Sequence, residues 1–314
     1  MRQKSVEVQI IGGLGNQLFC YSAGLFLAEK TSSKLVLDFS LVGKGGTDHG
    51  KSILDLDIHS DKVILSKRTN WVFLNRVNNK LMRTFKFYGS ISKKLQNVYI
   101  ASELGYEAEF FELSNPMKLK GYFQTFEYPT QIYSQLKDMF ILREPSNWYL
   151  EMSELVIKEN PIVIHIRRGD YLNLVEEFGV LSIEYYKKAL EKLDGARTRP
   201  IWIFTDSPKL IESEISKLSP EKAKIIDAPR TSSPAESMLL MSKANSIVIS
   251  NSTFSWWAAF MSAPETQVIV PSKWFKGRQD PSRLSPSNWL SEDSLWEDFS
   301  SNGVLKNGDW RAAH

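Results

Sequence analysis

The sequence predicts an α/β protein built on parallel sheets whose two faces are both covered by helices. Three observations carry that expectation. In the second half of the chain, short apolar runs alternate with stretches of helical period. The runs PIVIHI (161–166), PIWIFT (200–205), AKIID (223–227), SIVIS (246–250) and QVIVP (267–271) are apolar almost throughout, the pattern of strands buried on both faces. The chain also opens as strand, loop and helix, with VEVQII followed by GGLGNQLF. Finally, a length of 314 residues favours two domains of ordinary size over one.

Taken in order, GGLGNQLF enters a helix running to about Lys30, and KLVLDF is the next strand. Residues 60–115 read as mostly helical and irregular, and KLKGYFQT (118–125) as a strand leaving the first half. The junction is expected near LREPSNWYL (142–150), where Pro145 and polar residues interrupt the pattern. This divides the chain into domains at 1–148 and 149–314. Beyond it, SIEYYKKALEKL (182–193) is an amphipathic helix with Ser182 as cap. SPKLIESEISKL places Ser207 at a cap and Pro208 in the first turn. SPAESMLLMSKA and FSWWAAFMSA are further helices, and QVIVP is the final strand. In sheets of this kind ligands bind beyond the carboxyl ends of the strands.

Composition narrows the function classes. Hydrophobic residues make up 42% and charged residues 24%, which is globular. A net charge of +3 is too mild to argue for nucleic acid. Cys20 is the sole cysteine, so an intrachain disulfide and thiolate metal sites are both excluded. Four scattered histidines argue against zinc, and no metal is expected. No run approaches the roughly eighteen apolar residues of a membrane span, and the start lacks the apolar core of a signal peptide. The expected location is therefore the cytoplasm. One segment stands apart: from Lys62 to Lys94 there are nine basic residues and no acidic one, interleaved with Trp71, Phe73, Phe85 and Phe87. It reads as a solvated basic face, or as a surface resting peripherally on the anionic cytoplasmic face of a membrane; no nucleic-acid motif accompanies it.

Three segments carry chemistry. VIHIRRGDY ends a buried strand with Arg167, Arg168, Gly169 and Asp170 at the ligand edge. Two guanidinium forks beside a glycine suit a diphosphate; an Arg–Asp pair that only fastens the loop is the plainer alternative. ISNSTFSWWAAF again runs from strand into helix, and Ser250, Asn251, Ser252, Thr253 and Ser255 crowd its start. A helix N-terminus of this kind favours an anion, and a plain N-cap with a tryptophan core is the alternative. GGLGNQ follows the first strand. It fails as a dinucleotide fingerprint, because Leu18 stands where the third glycine is needed, and it is no Walker loop. It remains a close-approach loop.

Together and in this order, GGLGNQLF, HIRRGDY and SNSTFSWWAAF resemble the α-1,2-fucosyltransferases, the soluble bacterial members above all. GYFQTFEY (121–128) and LLMSKANSIVIS also look like that family, and the resemblance runs from about residue 8 to 275. It implies the glycosyltransferase B architecture, with two Rossmann-like domains facing a cleft and the nucleotide in the carboxyl half. It implies an inverting, metal-independent transfer of fucose from GDP-fucose to the 2-hydroxyl of a terminal β-galactoside. Surface polysaccharide of the O-antigen type is the implied product, and a lipid-linked oligosaccharide the implied acceptor form. No cofactor beyond the donor substrate is implied.

Carried over by position, His165 resembles the residue beside the nucleoside, Arg167 the β-phosphate ligand and Arg168 its structural or electrostatic partner. Ser252, Thr253 and Ser255 match the phosphate loop, and Gly13, Asn16 and Gln17 would close over the donor from the opposite half. Asp170 is either the general base or a lock on Arg168. Two positions depart from the pattern. Related enzymes place an acid that reads guanine where this chain has Ser237, with Glu236 one position off. A family glutamate base falls at Val175. A glycosyltransferase of the same architecture with another donor or linkage, and a non-catalytic nucleotide- or glycan-binding module, are the competing expectations.

Overall fold

The computed structural model of the chain describes residues 4–43, 50–58, 63–65, 97–218 and 221–298. Its strands form two sheets. The first holds β1 (Ser5–Gln9), β2 (Lys34–Asp38), β3 (Val63–Leu65), β4 (Val98–Ile100) and β5 (Lys118–Lys120), in the order β3-β2-β1-β5-β4. The second holds β6 (Ile162–Ile166), β7 (Ile201–Thr205), β8 (Ala223–Ile225), β9 (Ser246–Val248), β10 (Gln267–Pro271) and β11 (Leu290–Glu292), in the order β11-β10-β9-β6-β7-β8. Every pairing is parallel. The apolar runs explain this: all five residues of β6 are buried, which only a strand covered on both faces requires.

Each sheet reverses its winding once. The chain leaves β6 for β7 and β8, then returns to β9 on the other side of β6. It likewise leaves β1 for β2 and β3, then places β5 on the other side of β1. The two switch points, β6/β9 and β1/β5, are where side chains beyond the carboxyl ends meet empty space.

The helices are α1 (Leu14–Lys30), α2 (Ala108–Phe111), α3 (Glu127–Gln131), α4 (Tyr133–Met139), α5 (Asn147–Glu159), α6 (Val175–Phe178), α7 (Ile183–Glu191), α8 (Pro208–Leu218), α9 (Pro234–Met241) and α10 (Thr253–Phe260). α1 is apolar nearly all round, and fourteen of its seventeen residues are buried. One face lies on the first sheet, where a Cβ on Gly24 would stand 2.8 Å from side-chain atoms of Leu35 and Val8. The other meets the second half: the Phe19 ring lies 4.6 Å from Trp256 and 5.1 Å from Trp257. Cys20, buried in this helix, has its thiol pushed up to about 12 by burial, so it is a packing residue.

Three expectations are corrected. β10 is not last, because Leu290–Glu292 adds a parallel edge strand to it. Of the stretch 60–115, residues 60–62 and 66–96 lie outside the described residues, and the rest holds strands β3 and β4 and the single turn α2. The strand read as 118–125 stops at Lys120, where Gly121 (φ 152°) and Phe123 (φ 53°) turn the backbone. The stretch 142–150 is not all linker, because α5 starts at Asn147, with Ser146 Oγ accepting from Tyr149 N at 3.2 Å. The basic segment 62–94 lies outside the described residues except for 63–65. Among the described residues, no helix is long and apolar enough to cross a membrane.

Phe19 is buried against both tryptophans of the opposite half. Phe19→Ala is expected to cost about 3–5 kcal/mol, read as a lower urea midpoint; an unchanged midpoint would show that the halves are held together elsewhere.

Candidate active site

A cavity of about 1040 Å³ lies between the carboxyl ends of the two sheets. Its lining comes from both switch points. Gly12, Gly13, Gly15 and Asn16 follow β1, and Tyr122 and Gln124 follow β5. Arg167, Asp170 and Tyr171 follow β6, and Ser252, Thr253 and Phe254 follow β9. The halves approach so closely here that a Cβ on Gly15 would stand 2.4 Å from the Thr253 carbonyl carbon. Only glycine fits that position.

The strand's two-residue repeat puts His165 and Arg167 on the same side, toward the cavity. His165 is 4% exposed, and its Nδ1 pairs with Ser250 Oγ at 2.7 Å. Burial and then the Arg167 charge push its pKa down to about 3. It is a neutral imidazole at any physiological pH. Arg167 is clamped between two carboxylates. Its Nη1 lies 2.9 Å from Asp206 Oδ2, and its Nη2 bonds Asp170 Oδ1. Burial alone would pull this guanidinium down, but Asp206, Asp170 and Tyr171 more than offset it and hold its pKa above the ordinary value. Its buried Nε has no partner among the described residues. The guanidinium therefore keeps N–H groups for a ligand.

Arg168 does a different job. It is 3% exposed, donates to the Leu181 carbonyl at 2.9 Å and pairs with Glu214 at 3.0 Å, away from the cavity. Its backbone N–H donates to Asp206 Oδ1 at 3.0 Å. Gly169, at φ 26°, lets Asp206 in: a Cβ there would stand 2.2 Å from Asp206 Oδ2. Ser207 precedes α8, and its hydroxyl accepts from Gly169 N at 3.1 Å and fastens the same turn. The N-terminus of α10 lines the same cavity. The Ser252 hydroxyl accepts from Phe254 N at 3.3 Å, and the other N–H groups of this first turn have no acceptor within the helix. An arginine and a helix N-terminus thus line one cavity, and both are groups that favour an anion.

Comparison with known proteins decides the family. Residues 77–291 match the model of glycosyl transferase family 11. The chain belongs to this family. It is 29% identical over 89% of its length to 98% of the O-antigen biosynthesis glycosyltransferase WbnK of Escherichia coli. It is 27% identical over 91% of its length to 98% of an Escherichia coli α-1,2-colitosyltransferase. A galactoside 2-α-L-fucosyltransferase of Caenorhabditis elegans is 21% identical, covering 94% of this chain and 78% of that one. Among solved structures, NodZ α-1,6-fucosyltransferase co-crystallised with GDP superposes at a TM-score of 0.52, with 14% identity over 83% of this chain and 93% of that chain. POFUT1 in complex with GDP-fucose superposes at 0.51, with 12% identity over 85% and 98%. The fold is thus the glycosyltransferase B architecture, with two Rossmann-like halves.

In this family 11 glycosyltransferase the other expected site residues divide into two sets. Gly13, Asn16, Ser252, Thr253 and Asp170 line the cavity with His165 and Arg167. Gln17, Glu236 and Ser255 do not. The Gln17 amide donates to the carbonyls of Gly12 and Gly50, both at 2.8 Å, and accepts from Ile53 N, bracing its own loop. Glu236 is buried and accepts from Ser146 N at 2.7 Å and Ser233 N at 3.2 Å, tying α9 to the start of α5. Ser237, its neighbour, faces the cavity. Ser255 turns its hydroxyl back to the Ser252 carbonyl at 3.2 Å. Asp170 pairs with Arg167 and not with Arg168.

Sequence reasoning missed Asp206 and Asp227. Both follow strands of the second sheet and line the cavity. The signal was present, because the edge rule that singled out Arg167 applies equally to the ends of IWIFT and AKIID.

The depressed His165 pKa fixes a pH dependence. Unfolded, this histidine titrates near 6.5; folded, it does so at about 3. Between those values the unfolded chain holds the extra proton, so stability falls as pH falls below about 6.5. The stability difference between wild type and His165→Gln should shrink by about 2 kcal/mol from pH 7 to pH 5. Urea unfolding at both pH values measures it, and a constant difference would place a charged imidazole in the fold.

Proposed function

We propose that the chain transfers fucose from GDP-fucose to the 2-hydroxyl of a terminal β-galactoside, with inversion and without a metal, in the assembly of an O-antigen-type polysaccharide. The observation that carries this reading is that Arg167, with an unpartnered Nε, and the N-terminus of α10 line one cavity. As the bond to fucose breaks, negative charge grows on the β-phosphate, and preorganised donors placed there stabilise it most. The fucosyl centre becomes oxocarbenium-like, and attack from the face opposite GDP inverts it. Asp170, with 49% of its side chain exposed in the cavity, orients Arg167 and is the carboxylate open to the acceptor's proton. Asp206 is held by both Arg167 and the Arg168 N–H.

The base end of the cavity is the β7/β8 side, where Phe204, Thr205, Ile225, Ile226, Asp227 and Ser237 gather. Glu236 is committed to two backbone N–H groups. Asp227 takes its place as the carboxylate facing the 2-amino edge of guanine. The relatives support the chemistry: one is a galactoside 2-α-L-fucosyltransferase, and another is linked by name to O-antigen biosynthesis. The α-1,2-colitosyltransferase supports a second reading, the same linkage with a different sugar on the donor.

Acceptor-dependent release of GDP from GDP-fucose, in EDTA, over a panel of β-galactosides tests the main reading. Arg167→Ala is expected to lower turnover by about 100-fold or more, the scale of losing one oxyanion donor. GDP binding without turnover on any acceptor would point to a binding module, and turnover only with another donor sugar would favour the second reading. Asp227→Asn should weaken GDP about tenfold or more and leave IDP, which lacks the 2-amino group, nearly unchanged. Equal losses for both nucleotides would remove Asp227 from the base.

A further inference from the structure

The cavity has a second end that the donor does not account for. Both sheets run across it in matching order. On the base side, the residues after β2 (Leu41, Val42, Ser52) face the β7/β8 edge. In the middle, α1 faces α10. At the far end, the turn after β5 faces the loops after β6 and β10, and here the lining changes character. Phe178 packs on Tyr171 at 5.0 Å and on Phe275 at 5.4 Å, and Arg278 lies over the Phe178 ring at 5.7 Å. Since Arg167 sits 5.4 Å over Tyr171, a ladder of rings leads from the phosphate arginine to the cavity mouth. Tyr122, 40% exposed, and Leu174, 46% exposed, complete the rim.

We propose that this rim is the acceptor subsite, and that it takes a neutral pyranose whose apolar face lies on Phe178 while Tyr122 and Arg278 hold its hydroxyls. The inference rests on the glycosyl-transfer reading above. Its supports are geometric. Tyr122 comes from one half and Arg278 from the other. Both line the same cavity. Next to Tyr122, Gln124 is buried and lines the cavity, and its amide donates to Asn16 Oδ1 at 3.0 Å. Its Oε1 has no partner among the described residues, so an acceptor for a hydroxyl stands ready. The turn that presents both side chains holds Phe123 at φ 53°, a conformation that surrounding structure must impose.

The platform is preformed. Asp280 accepts from Trp274 N at 3.0 Å and Phe275 N at 2.8 Å, which fixes the loop after β10. Gly277 lets that loop lie on α6, where a Cβ would stand 2.1 Å from the Glu176 carbonyl oxygen. The charges are already matched: Arg278 pairs with Glu177 at 2.6 Å, and Lys276 with Glu176 at 3.2 Å. Lys276 and Arg278 are thus both paired, and aromatic faces with paired polar groups suit an uncharged sugar.

The test uses the full chain loaded with GDP, with lactose and N-acetyllactosamine as probes in saturation-transfer NMR, and GDP affinity measured in parallel by calorimetry. Phe178→Ala should weaken the sugar about tenfold, the scale of taking one aromatic ring away from its apolar face, and Tyr122→Phe should weaken it with the ring retained. GDP affinity should stay unchanged in both. Sugar binding that survives in Phe178→Ala with GDP intact would overturn the subsite. So would a wild type that binds GDP but neither sugar, or equal weakening of sugar and GDP. A wild type that fails to bind GDP would instead overturn the donor reading on which the subsite rests.

Discussion

Everything in this molecule depends on how closely the N-terminus of α1 approaches the loop that starts α10. Gly15 against the Thr253 carbonyl sets the separation, and Phe19 against Trp256 and Trp257 holds it with buried aromatic area. Neither sheet has a site by itself. Each has a switch point, and a switch point becomes a cleft only when something covers it. The aromatic contact covers each switch point with the other. Two further anchorages keep the halves in register. On the base side, Glu236 ties α9 to the start of α5. On the rim side, Thr125 Oγ1 donates to the Arg283 carbonyl at 2.6 Å, and Tyr106 N donates to the Ser282 carbonyl at 3.1 Å. The halves are thus anchored to one another at both ends of the cleft and in its middle.

Within that cleft the electrostatics are arranged around one guanidinium. His165 contributes no charge, because its burial beside Arg167 keeps it neutral. Asp206 and Asp170 hold Arg167 from two sides, and Asp206 is itself fixed by the Arg168 N–H. The rotamer of Arg167 is therefore set before any ligand arrives, which removes an ordering cost from binding. Asp206 is the firmer of its two holders, since Gly169 and Ser207 shape the turn around it.

The sequence made the second sheet legible because strands buried on both faces are apolar at every position, which leaves no ambiguity of period. β3, β4 and β11 have three residues each, too few to show a period, and they lie at sheet edges or next to them. α5 was hidden by Pro145, which signals a break but is followed at once by a Ser146 cap. The polar crowd at 250–255 read as a ligand loop. Much of it is internal: Ser250 holds His165, Asn251 donates to the carbonyls of Phe178 and Trp274, and Ser255 turns back on its own helix. Only partners far apart in sequence reveal this, and no local pattern encodes them.

The same geometry explains which motif residues reach the cavity and which do not. Successive residues in a strand point to opposite sides, and in a helix they stand about 100° apart. Three polar pairs adjacent in sequence are split in this way. In this chain one member faces the cavity and the other holds the element in place. Asn16 lines the cavity while Gln17 braces the loop at 50–53. Ser237 lines it while Glu236 ties α9 to α5. Arg167 faces the cavity while Arg168 is sunk between Leu181 and Glu214. The strand ends in two arginines, of which one lines the cavity while the turn that aims it is itself held. Once Arg167 is placed toward the cavity, strand alternation sends Arg168 to the other side, where a fixed charge survives burial only with partners. Glu214 and the Leu181 carbonyl supply them, and they carry the requirement of the site into the core of the second half.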